Sequence, residues 1–289
     1  MKELEGLGVA LVTPFNENGS IDFNGLERLL EHTYKGGVDY WVVMGSTGEA
    51  ATLSEKEQVE ILSFVTHHNP GNLPIVFGIG GNNTQLLVQR LKETDLSGVT
   101  AVLSSSPAYN KPSQLGIIAH FKELADNSPK PILLYNVPGR TSSNMLAKTT
   151  IELSLHPNII GIKEASADLL QILEIAESTS DDFLVTSGDD LLTPAITSIG
   201  GKGLISVMAN AKPNEFKRMV HSALDGDFAT SRRIASSLLQ LNSLMYKEGN
   251  PAGVKELLNQ MNICKNHVRL PLVPASDSLS KEIASAAKK

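Results

Sequence analysis

The sequence lacks the features of several large classes of protein. It has one cysteine, Cys264, which excludes an internal disulfide framework and is typical of a reducing cytoplasm. No apolar run approaches the roughly 18 residues of a membrane-spanning helix, and the acidic segment 1–6 does not resemble a signal peptide. No basic run is present, and the formal net charge is −6, which disfavours nucleic-acid binding. We therefore expect a cytoplasmic protein that binds neither nucleic acid nor membrane.

What the sequence does contain is a repeated pattern of short apolar runs. Hydrophobic residues make up 41% of the 289 residues and charged residues 19%, which is enough for a large core and excludes disorder. Eight β-branched, apolar runs lack polar alternation, as is typical of parallel strands buried on both faces. The runs are Val9–Val12, Tyr40–Met44, Ile75–Ile79, Val99–Leu103, Ile132–Tyr135, Ile159–Ile162, Phe183–Thr186 and Leu204–Val207.

Stretches with helical periodicity separate these runs. Ser54 and Glu57 form a capping box, and Asn83 and Ser113 stand where two further helices would begin. Eight strand-then-helix units predict a (β/α)₈ TIM barrel. A doubly wound sheet is the competing architecture, but the first apolar run is not followed by Gly-x-Gly-x-x-Gly.

The strand pattern stops after Val207, and only helical patterns follow. They cover Glu215–Ala223, Phe228–Met245 and Ala252–Met261. This tail exceeds what a barrel requires. We predict a barrel over residues 1–225 and a C-terminal helical region over 226–289, whose expected roles are packing or oligomer contacts.

Lys163 is the most informative residue for chemistry, because it ends an apolar strand. In a barrel, the reacting groups lie at the carboxyl ends of the strands, so the amine should point into the mouth. Desolvation favours an uncharged amine, which is the nucleophile that forms a Schiff base with a ketone. The alternative is a lysine that caps the strand through a salt bridge to a neighbouring loop.

Other polar residues follow the same ends of the strands. Tyr135 can relay protons, and Ser46 and Thr47 supply hydroxyls between glycines, although a plain tight turn is an equal interpretation of that loop. Arg140 follows a Pro-Gly turn that could aim its guanidinium at a carboxylate, and its alternative is a surface arginine. Asp189 and Asp190 are expected to cap the following helix rather than bind a metal. No pair of histidines has the spacing of a zinc site.

As an ordered set, these loops resemble the dihydrodipicolinate synthase / N-acetylneuraminate lyase family of Schiff-base class I aldolases. The resemblance spans nearly the whole chain and depends on the motifs Gly45–Glu49, Tyr135–Pro138 and Gly161–Glu164. It implies a barrel with C-terminal helices, usually assembled as a homotetramer. It also implies pyruvate as the ketone and no metal or organic cofactor.

The resemblance implies roles for particular residues. Lys163 would form the Schiff base, and Tyr135 would shuttle protons, linked by Thr47 to Tyr109 of a neighbouring subunit. The pyruvate carboxylate would be held by residues that line the mouth, namely Ser46, Thr47, and the backbone near Gly188 and Ile205.

Within the family, the chain is more similar to the synthases than to the lyases. Arg140 matches the synthase arginine that holds the carboxylate of the aldehyde, and Asn250–Lys255 matches a synthase segment after the barrel. Ser46 is a departure, because synthases usually carry threonine there. The expected reaction condenses pyruvate with L-aspartate 4-semialdehyde to give 4-hydroxy-tetrahydrodipicolinate, for lysine biosynthesis. The alternatives are an N-acetylneuraminate lyase, another pyruvate aldolase, or a barrel that senses a keto acid without catalysis.

The residues at the family's lysine-binding positions predict weak or absent inhibition by lysine. Leu86 replaces a glutamate that would pair with the ammonium group, and Ala108 replaces a tyrosine. Glu55 and Gln58 stand where histidines are common. The remaining positions, Ala51 and Asn82, are compatible with lysine.

Overall fold

The computed structural model describes residues 2–288 and contains a closed barrel of eight parallel strands in sequential order. The predicted (β/α)₈ fold is therefore confirmed. The strands are β1 (Gly6–Ala10), β2 (Tyr40–Val43), β3 (Ile75–Gly78), β4 (Ala101–Ser105), β5 (Ile132–Asn136), β6 (Ile159–Glu164), β7 (Leu184–Ser187) and β8 (Gly203–Ser206).

Helices cover the outside of the barrel and continue beyond it. They are α1 (Phe23–Lys35), α2 (Glu55–His67), α3 (Thr84–Glu93), α4 (Gln114–Asn127), α5 (Pro138–Thr141), α6 (Ala147–Ser154), α7 (Leu169–Ser178), α8 (Thr193–Ser198), α9 (Pro213–Leu224), α10 (Phe228–Tyr246), α11 (Ala252–Gln260) and α12 (Asp277–Ala286). The capping box of Ser54 and Glu57 opens α2 as predicted, and the side chains of Asn83 and Ser113 cap α3 and α4. Within residues 2–288, no helix is long and apolar enough to cross a membrane.

Two strands begin two or three residues away from the start of the apolar runs that predict them. β1 begins at Gly6 instead of Val9, because the backbone from Gly6 onward pairs with β8, whereas Val12 leaves the ladder and its N–H donates to the Asn210 side chain. β4 begins at Ala101 instead of Val99, since the Val99 N–H closes a turn onto the Leu96 carbonyl. In both cases burial in a loop produces the same apolar pattern as burial in a strand.

The buried side chains form two clusters that follow the alternation of the strands. On β5, Leu133 and Tyr135 belong to the small cluster inside the barrel, whereas Ile132 and Leu134 belong to the large cluster between strands and helices. A Cβ on Gly8 would lie 2.3 Å from the Tyr40 ring, so this glycine makes room for the ring inside the barrel. The interior is thus packed with side chains, as is typical of this fold.

The C-terminal helices share the large cluster with the barrel. Leu238 of α10, Val254 of α11 and Leu279 of α12 are buried members of it. The predicted division at 225/226 falls between α9 and α10, and the large apolar cluster includes residues on both sides of it. The division into two regions stays a prediction. Its outer limits, Met1 and Lys289, lie outside the described residues.

Candidate active site

Lys163 and Tyr135 are direct neighbours on β6 and β5, where they pair in register. The Lys163 Nζ lies 4.5 Å from the centre of the Tyr135 ring, and only 5% of the lysine and 8% of the tyrosine is exposed. Among residues 2–288, no carboxylate pairs with this amine and no acceptor hydrogen-bonds to it. Lys163 therefore has no salt-bridge partner among these residues, which disfavours its interpretation as a strand cap. Its amine instead faces an aromatic ring in a desolvated barrel mouth.

Gly188, directly after β7, lies beside the Lys163 side chain, and Ile205 lies in β8. A Cβ on Gly188 would lie 3.1 Å from Lys163 Cε and 2.7 Å from the Ala165 Cβ, so any larger residue would crowd the amine. The Gly188 N–H continues the ladder by donating to the Glu164 carbonyl at 2.7 Å. Ile205 is buried inside the barrel with Tyr135. The assignment of both residues to a keto-acid pocket stays a prediction.

The loop after β2 contains both predicted hydroxyls in a turn of 3₁₀ helix. Thr47 is buried and Ser46 is exposed. The loop is flanked by Met44 and Glu49, which have φ values of +61° and +56°. Non-glycine residues adopt this left-handed conformation at a cost of order 1 kcal/mol or more, and such residues cluster at functional sites. The backbone strain favours a functional loop over a plain tight turn.

Ser46 and Tyr135 line one cavity of about 260 Å³. The same cavity is bordered by the glycines after β2 and β3 and by Ser105 of β4. It extends outward to Gln58 and Arg90, which are joined by a hydrogen bond from Arg90 Nη2 to Gln58 Oε1 at 2.5 Å. The volume suits a small ligand with a few polar groups.

Asn250, which the sequence analysis noted only as the start of the segment Asn250–Lys255, contacts the candidate site. Its Nδ2 donates to Thr47 Oγ1 at 3.0 Å, from a segment that precedes α11. Because this amide nitrogen is a donor only, the Thr47 hydroxyl accepts from it and is free to donate its own proton to another group. The side-chain oxygen of Asn250 is buried and has no partner among the described residues. The C-terminal region thus completes the barrel mouth, beyond its predicted role in packing.

A buried ion pair joins the same loop to the C-terminal region. Lys255 Nζ donates to Glu49 Oε1 at 2.5 Å and to the His267 carbonyl at 2.7 Å, and the other Glu49 oxygen accepts from the Arg269 N–H. Both charged side chains are at most 1% exposed. The lysine also lies 4.3 Å above the Phe15 ring. This ion pair gives a structural role to Glu49 and Lys255, which the sequence analysis noted only as parts of motifs.

Arg269 continues this network to α2 and makes the stability of the protein dependent on pH. It contacts the Glu57 carboxylate at 2.6 and 3.1 Å, which lowers the pKa of Glu57 to about 2. A depressed carboxyl pKa adds stability above the unfolded value of 4.5, which is lost as the pH falls through 2. We expect Glu57→Gln to remove about 1–2 kcal/mol of this partly screened contribution. The gap in unfolding free energy between wild type and variant, measured by urea titration, should narrow from pH 4.5 towards pH 2; a constant gap would contradict the assignment.

Glu164, which follows Lys163, points away from the pocket into a polar network. It accepts hydrogen bonds from Asn136, Gln171 and the Ser166 backbone, with distances of 2.7–3.1 Å. Burial raises the pKa of Glu164. Asn136 also accepts from the Met145 N–H, so the network fixes the loops that follow β5 and β6. It orients the strands that carry Tyr135 and Lys163.

The structure of one chain does not bring all predicted residues together. Tyr109 is 91% exposed, with a φ of +69°, and its hydroxyl has no partner among residues 2–288. Its role across a subunit interface stays a prediction. Arg140 is exposed on α5, directly after β5, and its guanidinium makes no ion pair within the described chain.

The adjacent aspartates have different roles, which corrects one expectation. Asp189 accepts from the N–H groups of Leu191 and Leu192 in the turn before α8, and α8 itself has no side-chain cap at its N-cap residue, Leu192. Asp190 does not cap this helix: it is 2% exposed and accepts from the N–H groups of Val207 and Met208. A cap requires a carboxylate beside the free N–H groups of its own helix, whereas Asp190 is turned towards the segment after β8.

Cys264 is buried after α11, and burial raises the pKa of its thiol to about 11. A thiol that stays protonated is a poor nucleophile. Cys264 is therefore not a candidate nucleophile.

Comparison with known proteins identifies the family. A model of the dihydrodipicolinate synthetase family matches residues 3–289. The 4-hydroxy-tetrahydrodipicolinate synthase of Cytophaga hutchinsonii is 47% identical over 286 residues, which cover 99% of this chain and 96% of that relative. The solved Acinetobacter baumannii dihydrodipicolinate synthase, chloride inhibited and complexed with pyruvate, matches with a TM-score of 0.95 at 32% identity, covering 99% of this chain and 98% of that one. A monomeric dihydrodipicolinate synthase variant matches with a TM-score of 0.95 at 35% identity, covering 99% and 96% of the two chains. The chain therefore belongs to the dihydrodipicolinate synthetase family.

Proposed function

We propose that this protein is a lyase that condenses pyruvate with L-aspartate 4-semialdehyde to give 4-hydroxy-tetrahydrodipicolinate in lysine biosynthesis. The observation that carries the proposal is the buried amine of Lys163, which has no ionic partner and lies beside Tyr135. The relatives named 4-hydroxy-tetrahydrodipicolinate synthase support the same reaction.

The first half of the reaction activates pyruvate. The Lys163 amine, in its uncharged form, attacks the ketone carbon; the resulting hydroxyl group takes a proton and leaves as water, which gives a protonated imine. This cation withdraws electrons from the methyl group, so a methyl proton leaves and an enamine forms. Tyr135, with its ring 4.5 Å from the amine, is the group we assign to proton transfer in these steps.

The second half forms the new carbon–carbon bond. The enamine carbon attacks the aldehyde carbon, and the aldehyde oxygen takes a proton to become the hydroxyl group. The amino group of the adduct then attacks the imine and releases Lys163 as the ring closes. Thr47 would link Tyr135 to Tyr109 of a second subunit during these proton transfers.

Binding groups around Lys163 would hold the two carboxylates. We assign the pyruvate carboxylate to Ser46, Thr47 and the backbone near Gly188 and Ile205, and the aldehyde's carboxylate to Arg140. Holding both reactants in line for attack supplies roughly 7–11 kcal/mol of barrier reduction in well-oriented systems. The reaction needs no cofactor in this scheme, because the covalent Schiff base of Lys163 is the electron sink. The assembly we propose is a homotetramer in the cytoplasm.

The aldehyde substrate separates this proposal from its nearest rival. A coupled assay with pyruvate should give turnover with L-aspartate 4-semialdehyde and none with N-acetylmannosamine in the direction of sialic-acid synthesis. Cleavage of N-acetylneuraminate without use of the semialdehyde would show a lyase instead. Binding of pyruvate without turnover of either would leave the keto-acid sensor.

Arg140 tests the assignment of the aldehyde's carboxylate. We expect Arg140→Ala to lower kcat/KM for L-aspartate 4-semialdehyde by about 10²-fold, because a charge-assisted contact in the transition state is lost. The KM for pyruvate should stay within twofold. Arg218→Ala, on the exposed face of α9, is the matched control and should leave both constants unchanged. Equal loss for both substrates would contradict the assignment.

Lysine should inhibit this enzyme weakly or not at all. Leu86 is 60% exposed and offers no charge to an ammonium group, while the Arg90 guanidinium beside Gln58 adds a positive charge to the adjoining cavity. Like charges close together disfavour binding. Half-maximal inhibition at submillimolar lysine, in initial-rate measurements at saturating pyruvate, would contradict this prediction.

A further inference from the structure

Asp190 joins three parts of the chain that meet at the barrel mouth. It lies in the loop after β7, and its carboxylate accepts from the Val207 N–H at 3.3 Å and the Met208 N–H at 3.0 Å, just after β8. The Tyr246 hydroxyl, at the end of α10, donates to the same carboxylate at 3.3 Å. No lysine or arginine among the described residues pairs with Asp190. A carboxylate buried without a cation is costly, so its hydrogen bonds are what hold it in place.

The two segments that Asp190 joins are those proposed to hold pyruvate. Asp190 follows Gly188 by two residues, and Val207 follows Ile205 by two residues. Gly188 lies so close to Lys163 that even a Cβ would approach its Cε to 3.1 Å. A change in the distance between these segments would therefore shift the backbone groups on one side of the amine.

We propose that Asp190 and Tyr246 form a positioning pair that fixes the segments after β7 and β8 around the carboxylate of pyruvate. The inference rests on the proposed function and extends it to two residues without an assigned role. Neither side chain exchanges a proton with the substrate in this scheme. They act through the backbone near Gly188 and Ile205, so their removal should weaken pyruvate binding more than it slows the later steps.

The test measures pyruvate binding and turnover separately. Tyr246→Phe removes only the hydroxyl, and we expect the pyruvate concentration for half-maximal borohydride trapping on Lys163 to rise about fivefold, with kcat within twofold of wild type. Asp190→Asn should raise this half-maximal pyruvate concentration at least tenfold. The double variant should be no worse than Asp190→Asn alone, because the hydroxyl acts only through the carboxylate.

Controls separate positioning from general loss of stability. Asp227→Ala removes the N-cap of α10, and it should lower Tm without changing the half-saturation for pyruvate. An unchanged half-saturation in Tyr246→Phe, or effects that multiply in the double variant, would overturn the proposal. Should Asp190→Asn fail to fold, Tyr246→Phe decides alone. A wild-type protein that forms no adduct would refute the proposed function instead.

Discussion

Replacing Lys163 with arginine abolishes turnover, with an expected loss in kcat of about 10⁴-fold or more. Arginine keeps a positive charge at the end of β6 but forms no imine with a ketone, so the electron sink is lost. A factor of 10⁴ corresponds to about 5 kcal/mol of transition-state stabilisation. The measurement is the initial rate with pyruvate and L-aspartate 4-semialdehyde. It is combined with mass spectrometry after incubation with pyruvate and borohydride.

The trapped peptide identifies the reacting amine. Wild type should carry one reduced pyruvate on the peptide that contains Lys163, and Lys163→Arg should carry none. Lys148→Arg, an exposed lysine of α6, is the matched control and should react as wild type does. An unmodified Lys163 peptide in active wild-type enzyme, or full activity in Lys163→Arg, would disprove the Schiff-base mechanism.

Replacing Glu49 with glutamine has the largest expected effect on stability. Lys255 would be left in a fully buried position without its anionic partner, which typically costs 3–5 kcal/mol. The free energy of unfolding from urea titration should fall by about this amount. Activity should fall as well, because Glu49 ends the loop that presents Ser46 and Thr47.

The double variant Glu49→Gln/Lys255→Met tests the physical reason. Removing both charges should restore most of the lost stability, since buried pairs replaced by uncharged groups of similar size are often near neutral. The matched control is Lys35→Met, which breaks the exposed pair of Lys35 with Glu31 and should cost less than about 1 kcal/mol. A loss in Glu49→Gln no greater than in Lys35→Met would show that the buried pair is not a principal source of stability.

Much of the candidate catalytic centre was predictable because it depends on strand order and on local sequence. Lys163 and Tyr135 each lie one residue before the end of consecutive strands of a parallel barrel, and that alone places them side by side at the mouth. The N-caps of α2, α3 and α4 were predictable for a similar reason, since each cap involves residues three positions apart. The bounds of β1 and β4 were not, because buried loop residues have the same apolar pattern as strand residues.

The support of that centre could not be predicted from local sequence, because its contacts join distant parts of the chain. Asn250 reaches Thr47 across 203 positions and Lys255 reaches Glu49 across 206, and neither contact leaves a periodic signal. Asp190 was expected to cap its own helix until the fold placed Val207, Met208 and Tyr246 around it. The sequence by itself determined the barrel and the family and singled out Lys163 as the candidate reacting amine, since these follow from hydrophobic periodicity and short motifs. Only the tertiary structure decided which side chains hold the mouth in shape, because hydrogen bonds and buried charges depend on distances that the order of residues does not contain.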